Sequence, residues 1–145
     1  MIPTFFPWNN SLFLIAAELV NKTSRNIFLT GKAGTGKTTL LREIIETTHK
    51  NTVVVAPTGI AALNAGGVTI HSLFQLPFGG FLPDNSAPDF SESTKFETKA
   101  TLRRHFKMSG LKKSVIRNME LLIIDEVSML RADLLDAMDF MMQTV

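Results

Sequence analysis

Apolar positions along the chain fall into two alternating rhythms. Leu12, Ile15, Ala16, Leu19 and Val20 recur at helical spacing. They predict a helix capped by Asn10 or Ser11 and reaching about Asn21, with one stripe suited to packing on a sheet. Asn26-Ile27-Phe28-Leu29-Thr30 then reads as a short buried strand, and Leu40, Leu41, Ile44 and Ile45 mark a second helix to about His49. His49 is expected in the last turn of that helix, where a cation complements the dipole, a structural role. Thr52-Val53-Val54-Val55-Ala56 is a continuous β-branched run, the signature of a strand buried on both faces of a parallel sheet. Pro57 ends it. A short helix is expected over Ile60 to Asn64, broken by Ala65-Gly66-Gly67, and then a turn and another short helix over Val68 to Phe74.

Gln75 to about Ser93 is the least regular part, because Pro77, Gly79, Gly80, Pro83 and Pro88 preclude a long element. Lys95 to Met119 is helical in character, divided at Ser109-Gly110, with Leu111, Val115, Ile116 and Met119 on the apolar side of the second piece. Leu121-Leu122-Ile123-Ile124 predicts a second doubly buried strand, ended by Asp125 and Glu126. Val127 to Leu130 is a loop. Arg131 to about Met142 is a helix with Leu134, Leu135, Met138 and Met142 facing inward. The methionines Met129, Met138, Met141 and Met142 read as core filling. Three strands alternating with helices mean α/β with a parallel sheet and right-handed crossovers. Met1 to Asn9 is an arm rich in Pro and aromatics, expected to cover a core edge; the other reading has Phe or Trp stacking on a base.

Composition changes this picture little. The 145 residues are enough for one domain with a real core. Hydrophobic content of 45% and charged content of 19% are ordinary for a globular protein. The absence of cysteine removes disulfides and thiolate metal sites. No apolar run reaches the ~18 residues of a membrane span. Met1 to Asn10 carries no Lys or Arg, which argues against a secretory signal. An intracellular location, cytoplasmic or nucleoid-associated, is therefore expected, with no membrane partner. Charge does add something. From Lys95 to Arg117 there are eight basic residues against Glu97 alone, a net of +7 in a chain whose total is +2. Such a stretch is either a polyanion-facing surface or a solvated connection.

Candidate chemistry concentrates at two places. Gly31-Lys32-Ala33-Gly34-Thr35-Gly36-Lys37-Thr38-Thr39 fits G-x-x-x-x-G-K-[ST], the phosphate-binding loop. Its glycines let the backbone close on a ligand with N–H groups pointing inward, and the helix that follows adds the positive end of its dipole. Lys37 is expected to reach the β- and γ-phosphates, and the Thr38 hydroxyl to ligate Mg²⁺. The second place is the Walker B pattern, four apolar residues followed by Asp125 and Glu126. Asp125 is expected beside the metal, and Glu126 is placed to orient or deprotonate an attacking water. Hydrolysis is expected over phosphoryl transfer, because Glu follows Asp and no acceptor pocket is evident.

The stretch from Ala56 to Phe74, Ala56-Pro57-Thr58-Gly59-Ile60-Ala61-Ala62-Leu63-Asn64-Ala65-Gly66-Gly67-Val68-Thr69-Ile70-His71-Ser72-Leu73-Phe74, resembles motifs Ia and Ib of the petite-integration-frequency (PIF-type) superfamily 1 DNA helicases. The phosphate loop resembles their motif I. Ile123 to Met129 resembles motif II, and Arg131-Ala132-Asp133-Leu134-Leu135-Asp136 continues the match. The resemblance runs from about Asn26 to Phe140 and is weakest between Asp84 and Lys107. It implies a three-layer P-loop NTPase (RecA-like) fold with a mainly parallel sheet, C-terminally truncated. Residues 1–145 would be part of the first RecA-like domain, with the second absent. It further implies ATP and Mg²⁺ as cofactors, and 5′-to-3′ translocation on single-stranded DNA with duplex unwinding. Lys37 and Glu126 match the catalytic positions, Thr38 and Asp125 the metal contacts, and Thr58, Gly59, His71 and Ser72 the DNA-strand loops. Work in DNA repair, recombination, replication or telomere maintenance is what the family suggests. The hydroxyls of Thr58 and Ser72, the N–H of Gly59 and the ring of His71 suit contacts that read backbone rather than sequence.

Two departures qualify these expectations. No glutamine precedes motif I, where such helicases read adenine; Gln75 and Gln143 both lie downstream. Adenine selectivity is left to main-chain contacts of the Phe6 to Asn10 arm or to residues further upstream. The sensor, the rest of the domain and the arginine finger of the second RecA-like domain are also lacking, so the isolated chain is expected to bind Mg-nucleotide weakly, hydrolyse it barely and not unwind DNA. The alternatives are a non-catalytic nucleotide- or DNA-binding remnant of such a helicase, and a standalone P-loop NTPase or small-molecule kinase.

Overall fold

In the computed structural model, which describes residues 11–83, 96–105 and 107–145, the first helix (α1) runs from Ser11 to Lys22 and the second (α2) from Lys37 to Thr47. Both belong to a unit ending at Lys50. Val20 of α1 and Leu40 and Ile44 of α2 are buried. Polar bonds close the unit: Thr48 Oγ1 donates to Asn21 Oδ1 at 2.7 Å, and Lys50 Nζ donates to the Thr23 carbonyl at 2.8 Å. The aromatic arm expected over Met1 to Asn9 lies outside the described residues.

Three expectations fail in this unit. Asn26 to Thr30 forms no strand, and Ile27, Phe28 and Leu29 are 40%, 74% and 42% exposed. The run has strand propensity, but a strand exists only where a neighbour accepts its ladder. Among the described residues none pairs with it. His49 is not in a helix's last turn, because Thr48 turns extended and donates its N–H to the Ile44 carbonyl, closing α2 two residues earlier than expected. Ile15, assigned to the buried stripe of α1, is half exposed.

The second unit runs from Asn51 to Val145. Its middle strand, β1 (Thr52–Ala56), has the expected bounds. Pro57 cannot extend the ladder, and Thr58 caps the helix α3 (Gly59–Ala65), its Oγ1 accepting the Ala61 N–H at 3.2 Å. Gly66 ends α3 in the left-handed conformation. Gly67 then passes so close to the Val54 carbonyl that a Cβ would collide with it. That approach lets β2 (Val68–Thr69) pair parallel with β1, a strand unforeseen in the sequence. Thr69 caps α4 (Ile70–Phe74), its Oγ1 accepting the Ser72 N–H.

A small parallel pair follows: β3 (Gly80–Leu82), in the stretch the sequence reads as irregular, and β4 (Phe96–Thr98), which replaces the start of the helical stretch expected from Lys95 because it pairs alongside β3. Then come α5 (Lys99–His105), α6 (Gly110–Asn118), β5 (Leu121–Ile124), a single 3₁₀ turn at Val127–Met129, and α7 (Ala132–Thr144). The main sheet has the order β2-β1-β5, all parallel, with Val55 opposite Val68 on one side and Ile124 on the other. Glu120 Oε2 accepts the Asn51 N–H at 2.8 Å and ties the start of β5 to the start of β1.

The core lies between this sheet and α4, α6 and α7, around Val55, Ile70, Phe74 and Met138, none of which has any exposed surface. Burial corrects several assignments. β5 is only partly buried throughout, where a doubly buried strand was expected, because among the described residues it is an edge of the sheet. On α6 only Ile116 is fully buried, while Leu111 and Val115 face solvent. On α7 Leu135 is exposed, and Ala137, Phe140 and Met141 join Met138 inside. Met129 is exposed rather than core filling.

Candidate functional site

The phosphate loop lies in the first unit. Gly34 and Gly36 adopt φ of 76° and 84°, a region that glycine enters without strain. Gly36 is the residue before α2, so Lys37, Thr38 and Thr39 form the helix's first turn, with its unpaired N–H groups and positive dipole end. Thr35 folds the loop back, its Oγ1 donating to the Lys32 carbonyl at 2.8 Å. Lys37 Nζ donates to the carbonyls of Gly31 and Lys32, at 2.8 and 2.9 Å. The ammonium is therefore held by two neutral carbonyl oxygens of its own loop. Gly31, Lys32, Ala33, Gly34, Thr35, Thr38 and Thr39 are all exposed.

The carboxylate pair lies in the second unit, just past β5. The Asp125 N–H donates to the Val55 carbonyl at 2.9 Å, which extends the ladder by one bond and fixes Asp125 at the carboxyl end of the sheet. Its Oδ1 accepts the Glu126 N–H at 2.9 Å, leaving Oδ2 unengaged by that bond. Glu126 is exposed and takes φ 53°, ψ 41°, left-handed geometry that costs a non-glycine residue about 1–2 kcal/mol. Strain of this kind persists where a side chain must be aimed.

Mg²⁺ is taken by hard oxygen donors, usually one or two carboxylates with water and phosphate completing the shell. The Thr38 hydroxyl and the Asp125 carboxylate are such donors. Among the described residues no cluster of three or more His, Asp or Glu could hold a metal by itself. Thr38 in the first unit and Asp125 in the second thus each offer an oxygen of the kind Mg²⁺ takes.

The second unit also gathers the four residues assigned to DNA contact. Thr58 and Gly59 begin α3 at the end of β1, while His71 and Ser72 lie in the first turn of α4 at the end of β2. Parallel pairing thus puts both loops and Asp125 along one edge of the sheet. Burial holds the His71 imidazole below its ordinary pKa, so it is neutral at pH 7 and offers a ring face rather than a charge. The ring is stacked on Phe78, centroids 4.9 Å apart with 22° between planes. The sequence reading missed Phe78, an aromatic isolated in a Pro/Gly stretch and 86% exposed. It also missed the anchoring of Ser72, whose carbonyl accepts Lys112 Nζ at 2.7 Å and Gln75 Nε2 at 3.0 Å.

The basic stretch divides in the same way. Lys99 and Arg103 lie over the Phe140 ring, at 6.0 and 5.3 Å, and Arg117 Nε donates to the Val145 carbonyl at 2.8 Å. Those side chains are committed within the fold. Arg104 and Lys107 are exposed, and Lys95 lies outside the described residues. No helix among the described residues is long and apolar enough to cross a membrane.

Known proteins share this chain's sequence pattern and fold. The family model for PIF1-like helicases matches residues 10–145. The ATP-dependent DNA helicase PIF1 of Saccharomyces cerevisiae is 38% identical over 129 residues, covering 86% of this chain and 13% of that protein. The Campylobacter jejuni helicase Pif1 is 32% identical over 118 residues, covering 79% of this chain and 24% of that one. A crystal structure of Bacteroides sp Pif1 in complex with ADP-AlF4 superposes with a TM-score of 0.73 at 43% identity, covering 93% of this chain and 27% of that one. Bacteroides Pif1 bound to ssDNA gives 0.72 at 45% identity, covering 91% of this chain and 26% of that one. The chain thus spans about a quarter or less of the proteins it matches, and its mixed α/β fold with a parallel sheet is theirs. Fold, motifs and family model agree: the chain belongs to the PIF1-like helicase family.

Proposed function

We propose that the chain is the nucleotide-gripping part of an ATP-dependent DNA helicase. It is part of a first RecA-like domain that works with a second one in the same polypeptide. Gly31 to Thr39 hold the triphosphate of ATP, with Lys37 moving from its own loop carbonyls to the β- and γ-phosphates. Thr38 and Asp125 hold Mg²⁺, which when bound neutralises phosphate charge. Glu126 orients the attacking water and takes its proton. Thr58, Gly59, His71 and Ser72 bear on single-stranded DNA, and the whole protein converts hydrolysis into 5′-to-3′ translocation and unwinding. DNA repair, recombination or telomere maintenance is the setting this activity suits.

The observation that carries the reading is the loop itself: left-handed Gly34 and Gly36 leading directly into the first turn of α2, with Lys37 bonded to the loop's own carbonyls. The edge shared by Asp125, Thr58 and His71 supports the link from ATP to DNA. The test is direct. The 145-residue chain should bind single-stranded DNA on filters, weakening steeply as salt rises. It should bind Mg-ATP with little turnover, since an arginine finger contributes about 10³–10⁵ in rate in other P-loop enzymes. Neutralising Arg104 and Lys107 should flatten the salt slope. Vigorous DNA-stimulated hydrolysis by this chain, or no DNA binding at low salt, refutes the proposal.

A further inference from the structure

The turn that closes α4 presents an aromatic ring that the ATPase chemistry does not use. Gln75 ends the helix in the left-handed conformation, φ 54° and ψ 37°, with its N–H on the His71 carbonyl. A glutamine takes that geometry against a steric cost, and strain of this kind is kept where the chain behind it must be aimed. Leu76 follows, buried, its N–H also donating to the His71 carbonyl at 3.2 Å. The chain then returns through Pro77 and lays Phe78 on the His71 imidazole, centroids 4.9 Å apart. A lone exposed apolar side chain is ordinary on a protein surface. Phe78 differs because its ring is supported from behind: it is 86% exposed, yet stacked on a ring carried by α4. The result is a flat platform open to solvent.

A cation stands at the same turn. Lys112, in the first turn of α6, reaches across to α4 and donates from Nζ to the Ser72 carbonyl at 2.7 Å. Gln75 Nε2 donates to the same oxygen at 3.0 Å. The Lys112 bond is exposed and uses one of the three N–H groups of the ammonium. Among the described residues no carboxylate forms an ion pair with it. The positive charge is thus tethered to the residue whose hydroxyl is assigned to DNA, with N–H groups to spare. An apolar protein surface would cover the ring but leave this ammonium against a surface that does not answer it. A single strand of DNA offers what both groups take, flat rings alternating with anions.

We propose that Phe78 stacks one base of single-stranded DNA and that Lys112 neutralises a phosphate beside Ser72. Stacking on Phe78 is tolerant of sequence, because every base has a π-face. The phosphate contact carries no sequence information either. The inference rests on the DNA-contact reading of His71 and Ser72 and deepens it with two residues that reading does not contain. It also changes the part played by His71, which backs the ring that meets the base. Lys112 has two effects at once: its bond to the carbonyl fixes where Ser72 sits, and its charge is offered to the strand.

The experiment is fluorescence anisotropy of the 145-residue chain with two labelled 12-mers, one of dT and one of abasic deoxyribose phosphate, over a series of salt concentrations. Phe78→Ala should bind dT about tenfold more weakly than wild type, the size of one lost stack, with an unchanged salt slope. Phe78→Trp should restore the affinity. On the abasic strand wild type and Phe78→Ala should agree within about twofold, because there is no base to stack. Lys112→Gln should weaken both strands and reduce the salt slope by about 0.7, the value of one phosphate on a single strand, while Lys112→Arg should keep the slope. Thermal melts check that the folds match. Equal dT binding by wild type and Phe78→Ala, or an equal loss on the two strands, overturns the stack. Weaker binding by Lys112→Gln with the slope unchanged means that Lys112 only positions Ser72, and overturns its phosphate contact. In both cases the DNA reading stands, since wild type still binds dT. If the wild-type chain binds neither strand at low salt, that reading falls and this inference with it.

Discussion

Asp133 is the residue whose removal should reveal how α7 holds the second unit together. Its Oδ2 accepts the Phe81 N–H at 2.9 Å and an Arg131 Nη2 bond at 2.7 Å, while Oδ1 accepts Arg131 Nε at 3.0 Å. Phe81 is buried, so Asp133→Ala leaves a buried N–H without an acceptor, a loss of about 1–3 kcal/mol. The Arg131 pair adds at most about 1 kcal/mol, because that guanidinium is 66% exposed. The expected total is about 2–3 kcal/mol. With a slope of roughly 1–3 kcal/mol/M, the urea midpoint should fall by about 0.7–3 M. Asp133→Asn keeps an acceptor for Phe81 and loses only charge, so it should cost about 1 kcal/mol or less.

The pH dependence of that stability has a definite sign. Burial raises the Asp133 pKa, but the Phe81 N–H and Arg131 outweigh it and leave the carboxyl below its ordinary 3.8. A depressed carboxyl contributes stability that is complete above its unfolded pKa, about 3.9, and is lost as pH falls through the folded value. Wild type should therefore lose more stability than Asp133→Asn as pH drops below about 5. Urea titrations at pH 7 and across pH 5 to 3 measure both effects. If Asp133→Ala lies within 0.5 kcal/mol of wild type, or Asp133→Asn is equally damaging, the bond to Phe81 is not what matters and the reasoning fails.

Lys37→Met should weaken binding of a fluorescent ATP analogue at least tenfold while lowering stability by less than about 1 kcal/mol, since the two carbonyl bonds it loses are exposed; unchanged nucleotide affinity would contradict the assigned role. Glu126→Gly should stabilise the unit by roughly 0.5–1 kcal/mol, by relieving left-handed strain less the entropy of glycine, and abolish residual hydrolysis. A destabilised Glu126→Gly would mean that the side chain, not the backbone, governs that turn. Met138→Ala opens a cavity at a fully buried position and should cost about 2–5 kcal/mol by chemical denaturation; a loss under 1 kcal/mol would show that the core collapses to fill it.

What could be read in advance follows from how local each signal is. β1 was legible to the residue because a continuous β-branched run needs no partner to announce itself. Ser109, expected to divide the helical stretch, caps α6 by accepting the Lys112 N–H. The phosphate loop was legible because its glycines are demanded by backbone geometry. β2, β3 and β4 were not, being two or three residues long and too short to show a period. They are strands because a partner lies alongside, which is non-local information. Asn26 to Thr30 shows the converse, strand propensity without a described partner. Leu111 and Leu135 were misassigned because the apolar stripe on a short helix is wider than the face it buries. Phe78 was missed because stacking on His71 depends on a turn through Pro77 that no periodicity encodes.

Val55 makes ladder contact on both sides, with Val68 toward His71 and Ile124 toward Asp125. The carboxylate proposed to serve ATP and the turn proposed to meet DNA are thus two strand spacings apart, about 10 Å, with no loop in between. In mechanical terms this is a stiff coupling. A ladder cannot stretch without breaking bonds, so any signal between the two ends has to travel as a tilt of the whole sheet. Spin labels beside Asp125 and Thr69 should keep their separation within about 2 Å whether nucleotide is bound or not, under half a strand spacing. A larger change would mean that the sheet itself opens during the cycle.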